Sequence, residues 1–168
     1  MAAAAMVVVV GVLLPFPFYY ALWNYPHKWV ALCGKGVDPS HRMAQISHAL
    51  KALQILSLLS SHESPRLPRL LPPPLPPRTV PQLQVKVYQL LGEAGTYYGV
   101  RFGKNIPWVS EFPFGYIKDP QYVGSILSLL ALLCWVPFWC VFLWILGYLF
   151  MMWVESDEDP ATRAKPLS

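Results

Sequence analysis

Apolar residues in this chain come in long unbroken runs, and the polar positions between those runs mark off the elements. Residues 1–26 contain no charged side chain. The apolar run over residues 2–23 is 22 residues long, enough at about 1.5 Å per residue to cross roughly 30 Å of hydrocarbon. Pro15 and Pro17 each lack a backbone donor and predict a kink or break inside it, while Trp23 and Tyr25 read as an interfacial anchor. The run is expected to stay in the protein, because a cleavable leader would begin with basic residues that are missing here. A polar stretch follows over residues 24–42, carrying Lys28, Lys35, Asp38 and Arg42. Residues 43–59 then predict a second segment of 17 residues, close to the lower limit for spanning. Within it His48 and Lys51 lie on one helical face, where snorkelling or packing inside a bundle is the expected use of their charge.

The pattern breaks down over residues 60–81, where eight prolines fall in seventeen residues, interleaved with Arg66, Arg69 and Arg78. No helix is expected there. Such a segment predicts an extended, polyproline-like linker in water or among head groups, since lipid cannot satisfy its bare carbonyls. Residues 85–103 predict a helix of mixed polarity with Gly92, Gly95, Gly99 and Gly103 along one face. A stripe of that kind admits either another helix or a flat ligand against the backbone. Residues 104–121 form a loop rich in aromatics and proline, as suits an interfacial position. Residues 126–154 are then 29 positions without a charge, about 44 Å as one straight helix. That overshoots a bilayer, so the run must tilt, kink or double back, and Pro137 is the natural breaking point. The predicted fold is an all-α integral membrane bundle of about four membrane helices, residues 1–168 forming a single domain with the Pro-rich linker inside it.

Composition narrows the function. The chain has 168 residues, 55% of them hydrophobic and only 13% charged, with mean hydropathy +0.38, whereas soluble domains run near 25% charged. There is no room for a soluble catalytic domain beside a membrane anchor, so any chemistry belongs to the embedded part. The net charge is +4, but the thirteen Lys and Arg are scattered singly, without the stripe that nucleic acid binding requires. Lys and Arg balance across the second segment, so charge does not fix the orientation. Cys33, Cys134 and Cys140 give neither a disulfide framework nor metal-ligand spacing. His27, His41, His48 and His62 form no metal motif, and no metal is expected.

Two charged clusters remain. Glu155, Asp157, Glu158 and Asp159 are four of the nine acids, packed into five residues after the last apolar run. Each carboxylate at a helix C-terminus is disfavoured by about 0.3–1 kcal/mol, and an anionic leaflet adds repulsion. The cluster is either a solvated stop ended by Pro160 or a site for something cationic, and electrostatics leans toward the second. The other cluster, Arg101, Lys104, Glu111, Lys118 and Asp119, flanks the aromatic loop. Its basic side chains can hold a lipid phosphate by charge-assisted hydrogen bonds, or serve only to attract an anionic surface. Tyr97, Tyr98, Phe112, Phe114 and Tyr116 offer ring faces to a methylated ammonium, or form an interfacial belt.

Four stretches carry a resemblance: Gly92-Glu-Ala-Gly-Thr-Tyr-Tyr-Gly99, Phe112-Pro-Phe-Gly115, Asp119-Pro-Gln-Tyr-Val-Gly-Ser125, and Glu155-Ser-Asp-Glu-Asp-Pro160. They closely resemble the phospholipid N-methyltransferase family, with the likeness to plant members running over residues 85–168 and again over residues 11–57. The resemblance implies a small, multi-pass, helical enzyme of the endoplasmic reticulum membrane. It would use S-adenosylmethionine to methylate phosphatidyl-N-methylethanolamine and phosphatidyl-N,N-dimethylethanolamine, giving phosphatidylcholine. It also implies an acidic pair at the cofactor, for which Glu158 and Asp159 before Pro160 are the favoured match and Glu155 a second register. Tyr122 and Gly124, in the Pro-x-Tyr-x-Gly run that follows Asp119, are implied near the same cofactor. The departure falls in residues 60–84, where the family has hydrophobic helix and a Gly-x-Gly. Either the third helix starts late, near Gln82, with Gly92 and Gly95 at the cofactor, or the chain is a catalytically impaired form; a non-enzymatic membrane scaffold, and an enzyme of the same broad fold that methylates prenylcysteine carboxyls, are the other readings. The resemblance implies no metal, and the lipid's holders would be Arg101, Lys104, Lys118 and Tyr98. The base that takes the amine's proton is left unassigned.

Overall fold

The proline pair divides the first apolar run as its chemistry requires. In the computed structural model, which describes residues 2–59, 79–134 and 136–165, α1 (Ala2–Leu13) gives way to α2 (Pro15–Asn24). Pro15 has no N–H to return to the preceding turn. Leu14 nevertheless keeps helical dihedrals and donates to the Val10 carbonyl at 2.9 Å, so Ala5–Asn24 is a single stretch long and apolar enough to cross a membrane. The buried Gln54 side chain donates to the Val12 carbonyl beside the break at 2.7 Å, fastening the next long helix to it.

The polar stretch is more ordered than its composition predicts. It contains α3 (Pro26–Cys33), opened by a proline at its first position where the missing N–H costs nothing. The following helix, α4 (Pro39–Leu59), begins four residues earlier than the apolar run, because the Asp38 carboxylate accepts the Ser40 amide at 2.9 Å.

Two expectations are corrected in α5 (Thr79–Thr96). The helix begins by Thr79, so residues 79–81 of the expected linker are helical, while residues 60–78 lie outside the described residues. It also stops at Thr96 rather than running to residue 103, which leaves Gly99 and Gly103 in turns and dissolves the single glycine face. Tyr98 takes a left-handed φ of 55°, and the Gly99 amide folds back onto the Ala94 carbonyl at 2.8 Å. A Cβ at Gly99 would collide with that carbonyl. Gly92, at φ 64° and ψ −176°, interrupts the helix itself in a region that essentially only glycine occupies.

The long uncharged run breaks where Pro137 predicts. It becomes α6 (Pro120–Ala131), a 3-10 turn (Leu132–Cys134) and α7 (Phe138–Ser156), with Pro137 capping α7. Helices α6 and α7 pack on one another, so the chain doubles back. The main core joins Val8, Val12 and Phe16 to Leu129 and to Cys140, Trp144, Tyr148 and Met151. Gly147 admits the Phe16 ring, which a Cβ there would overlap. A second core gathers Leu22, Val30, Met43, Phe102 and Ala164 at the other end of α2. Val10, Leu56, Phe142 and Leu149 are exposed, as befits faces turned to lipid. Among the described residues no strand occurs, and two stretches, Ala5–Asn24 and Phe138–Ser156, are long and apolar enough to cross a membrane. The about four spanning helices read from sequence are therefore not all matched on this measure. Helix α4 carries Arg42 and Lys51, and α6 has only 12 residues.

Candidate active site

Three side chains far apart in sequence converge where α6 and α7 meet the turn after α5. Glu155 comes from the last turn of α7, Tyr122 from the first turn of α6, and Tyr98 from the left-handed position beyond α5. The hydroxyls of Tyr98 and Tyr122 both donate to the same carboxylate oxygen, Glu155 Oε1. Among the described residues no cationic side chain forms an ion pair with Glu155. Two hydroxyls orient a carboxylate without supplying a positive charge to cancel its own.

Glu155 and Tyr122 line a cavity of about 640 Å³ with Gly95, Lys118, Phe114 and Tyr116, within the range of small-ligand pockets. Gly95 leaves its wall flat, and Lys118 lies exposed at the rim. The aromatic loop roofs this cavity with Trp108 and Tyr116, which remain 94% and 81% exposed as interfacial side chains do. A second cavity of about 620 Å³ lies among α4, α5 and α6 and includes Tyr97 and Tyr98. Gln121 and Tyr122 line both.

The remaining residues singled out from sequence have other partners. Arg101 is buried at 3% exposure. Its guanidinium donates to the Trp23 carbonyl, to the Asp159 carbonyl at 3.3 Å and to Thr162 Oγ1 at 2.9 Å, and it stacks 4.7 Å from the Trp23 ring centre. That engagement takes it away from any lipid phosphate. Lys104 Nζ pairs with Asp38 at 2.6 Å. Burial pushes the Asp38 carboxyl up, but the hydrogen bond from Lys104, those from the Ser40 and His41 amides and the Lys104 charge together hold it below its ordinary value. Gly124 abuts Leu83 and Gln84 across the α5–α6 contact, while Gly92 lines neither cavity. Phe112 likewise lies outside both.

The profile of the phospholipid methyltransferase family matches residues 82–165, half of the chain. A curated protein of Arabidopsis thaliana, named phosphatidyl-N-methylethanolamine N-methyltransferase, is 62% identical over 163 residues, covering 95% of this chain and 96% of that one. This chain belongs to the phospholipid methyltransferase family. No solved structure matches it.

Within that family's motifs the tail divides in two. Glu158, in the favoured register, accepts from Arg163 Nε at 2.7 Å and Nη2 at 2.9 Å and lies 3.7 Å from Arg101. Asp159 caps the 3-10 turn Pro160–Thr162 by accepting the Ala161 amide at 2.9 Å. Glu155, in the second register, is the acid that lines a cavity, and Tyr122 of the Pro-x-Tyr-x-Gly run is bonded to it. Sequence reasoning missed Tyr148, whose ring packs 5.8 Å from that of Tyr122. Its signal was available, because Tyr148 stands seven residues before Glu155 and so shares its face of α7.

Proposed function

We propose that this protein transfers methyl groups from S-adenosylmethionine to phosphatidyl-N-methylethanolamine and then to phosphatidyl-N,N-dimethylethanolamine, yielding phosphatidylcholine, as a multi-pass enzyme of the endoplasmic reticulum membrane. The observation that carries this reading is the 62% identity, across nearly the full length of both chains, to a relative of that name. The donor set of the cavity lined by Glu155 supports it. A cationic, flat methyl donor calls for an uncancelled carboxylate, a bare stretch of backbone and ring faces, and the cavity offers Glu155, Gly95, Phe114 and Tyr116. S-Adenosylmethionine, when bound, supplies a methyl group on a sulfonium whose departure leaves a neutral thioether.

The protein's own residues then have three tasks. Tyr98 and Tyr122 hold the Glu155 carboxylate at the inner wall, so that its charge faces the cavity without reorganisation during reaction. The two cavities that Tyr122 lines set an acceptor amine opposite the methyl donor, and such positioning is worth several kcal/mol, on the order of 7 or more in well-aligned cases. The aromatic loop screens the reacting groups from water. Each transfer forms one N–C bond, breaks one S–C bond and releases one proton from the amine, which must be neutral before its lone pair can attack. Microsomes bearing the full chain, given radiolabelled methyl donor and either acceptor lipid, should form labelled phosphatidylcholine, and Glu155→Gln should abolish it. An active wild type with unimpaired Glu155→Gln refutes the role given to Glu155; a wild type that cannot restore phosphatidylcholine to a methylation-deficient yeast fed monomethylethanolamine refutes the activity.

A further inference from the structure

We propose that the 620 Å³ cavity is the chamber for the acceptor's head group, recognising a methylated ammonium linked through a short alkyl chain to a lipid phosphate. This rests on the methyltransferase reading and extends it to a site for the second substrate. Tyr19, Tyr88, Tyr97, Tyr98, Tyr122 and Tyr148 all line the cavity, and among the described residues no acid does. A primary ammonium brings three N–H donors and is best met by carboxylates. Each methyl group replaces a donor with apolar surface, so a methylated ammonium is best met by the faces of aromatic rings. The lining is therefore matched to lipids already carrying methyl groups.

Lys51 supplies the anionic half of the recognition. It projects from α4 into the same cavity, where its Nζ donates to Tyr148 Oη at 2.7 Å and lies 4.8 Å from the Trp144 ring centre and 5.4 Å from that of Tyr148. Among the described residues it has no acidic partner. A cation inside a membrane bundle is costly until an anion meets it, and a lipid phosphate entering the cavity provides one. The buried Ser47 hydroxyl also lines the cavity. His48 is exposed and Tyr88 is 44% exposed at the cavity edge, which opens it sideways between α4 and α5, so a head group can enter while acyl chains stay in the bilayer. Tyr122 completes the arrangement, because it lines both this chamber and the cavity of Glu155.

The test uses the full chain in detergent micelles, titrated with short-chain dihexanoyl lipids and read by tryptophan fluorescence. Dihexanoyl-phosphatidylcholine is expected to bind about tenfold more tightly than dihexanoyl-phosphatidylethanolamine, the gain of one or two cation–π contacts. Free phosphocholine is expected to bind far more weakly than either, since it lacks the acyl chains. Lys51→Gln should weaken binding of both lipids about tenfold and leave S-adenosylhomocysteine binding unchanged, while Lys51→Arg should retain lipid binding. Equal affinity for the two head groups in the wild type overturns the chamber, and that comparison decides the matter if Lys51→Gln fails to fold. Lipid affinity unchanged by Lys51→Gln also overturns it, and phosphocholine binding as tightly as the lipid overturns the lipid assignment. A wild type that selects the choline head yet never binds S-adenosylhomocysteine supports the chamber and counts against the methyltransferase reading instead.

Discussion

Glu155 stands in the last turn of α7 and Glu158 three residues on, just beyond the helix end, yet the structure gives them opposite surroundings. Glu155 meets two tyrosine hydroxyls; Glu158 lies between two guanidinium groups. Hydroxyls orient a carboxylate and leave its charge outstanding, whereas guanidinium groups neutralise it. The first is thus fit to meet a cation from outside the protein, and the second serves to hold the chain together. An acidic cluster that looks uniform in sequence is two devices, divided by which side of the helix end each acid leaves.

Exchanging the acids breaks the comparison most directly. Glu155→Gln should lower methyl transfer by at least about 100-fold through loss of a pre-oriented charge, measured as radiolabel incorporated into lipid. Glu158→Gln should leave methyl-donor affinity within about twofold, because Glu158 lines neither cavity and is engaged by Arg163 and Arg101 instead. Arg101→Leu strips several hydrogen bonds to a buried cation and should destabilise the protein by about 3 kcal/mol, seen as a lowered Tm in detergent with the donor site intact in the protein that remains folded. Tyr122→Phe removes one of the two donors to Glu155, worth about 1 kcal/mol, or roughly fivefold in kcat/KM, with little change in Tm. The smallest effect lies at the Lys104–Asp38 pair. The Asp38 carboxyl is held below its ordinary value of about 4, so its contribution to stability is complete above that pH and is lost as pH falls through the depressed value. Thermal stability should show no Asp38-dependent change between neutral pH and about pH 5, and Asp38→Asn should remove the small loss seen below about pH 4.

Features governed by local covalent chemistry were legible in the sequence. Pro15 and Pro137 break helices because an imide has no N–H to donate, whatever surrounds it. Residue spacing was a poorer guide wherever a distant partner decides the outcome. Regular glycine spacing predicted one helix over residues 85–103, but the Gly99 amide turns back onto Ala94 and Tyr98 reverses its backbone to reach an acid 57 residues away. The choice between Glu155 and Glu158 is likewise set by where α6 places Tyr122, and the role of Arg101 by where the end of α2 leaves the Trp23 carbonyl. Helix α3 escaped notice because eight residues are too few for a clear apolar period.

The Arg101 cluster also has a bearing on biogenesis. Its guanidinium joins Trp23 to Asp159 and Thr162, and its own carbonyl takes the Ala164 amide at 2.8 Å. These contacts tie the end of α2 to residues 159–164, so the cluster closes only once translation has passed Ala164. A nascent chain that stops before Asp159 holds an arginine stripped of those partners, and the desolvation of its guanidinium is then left without compensation.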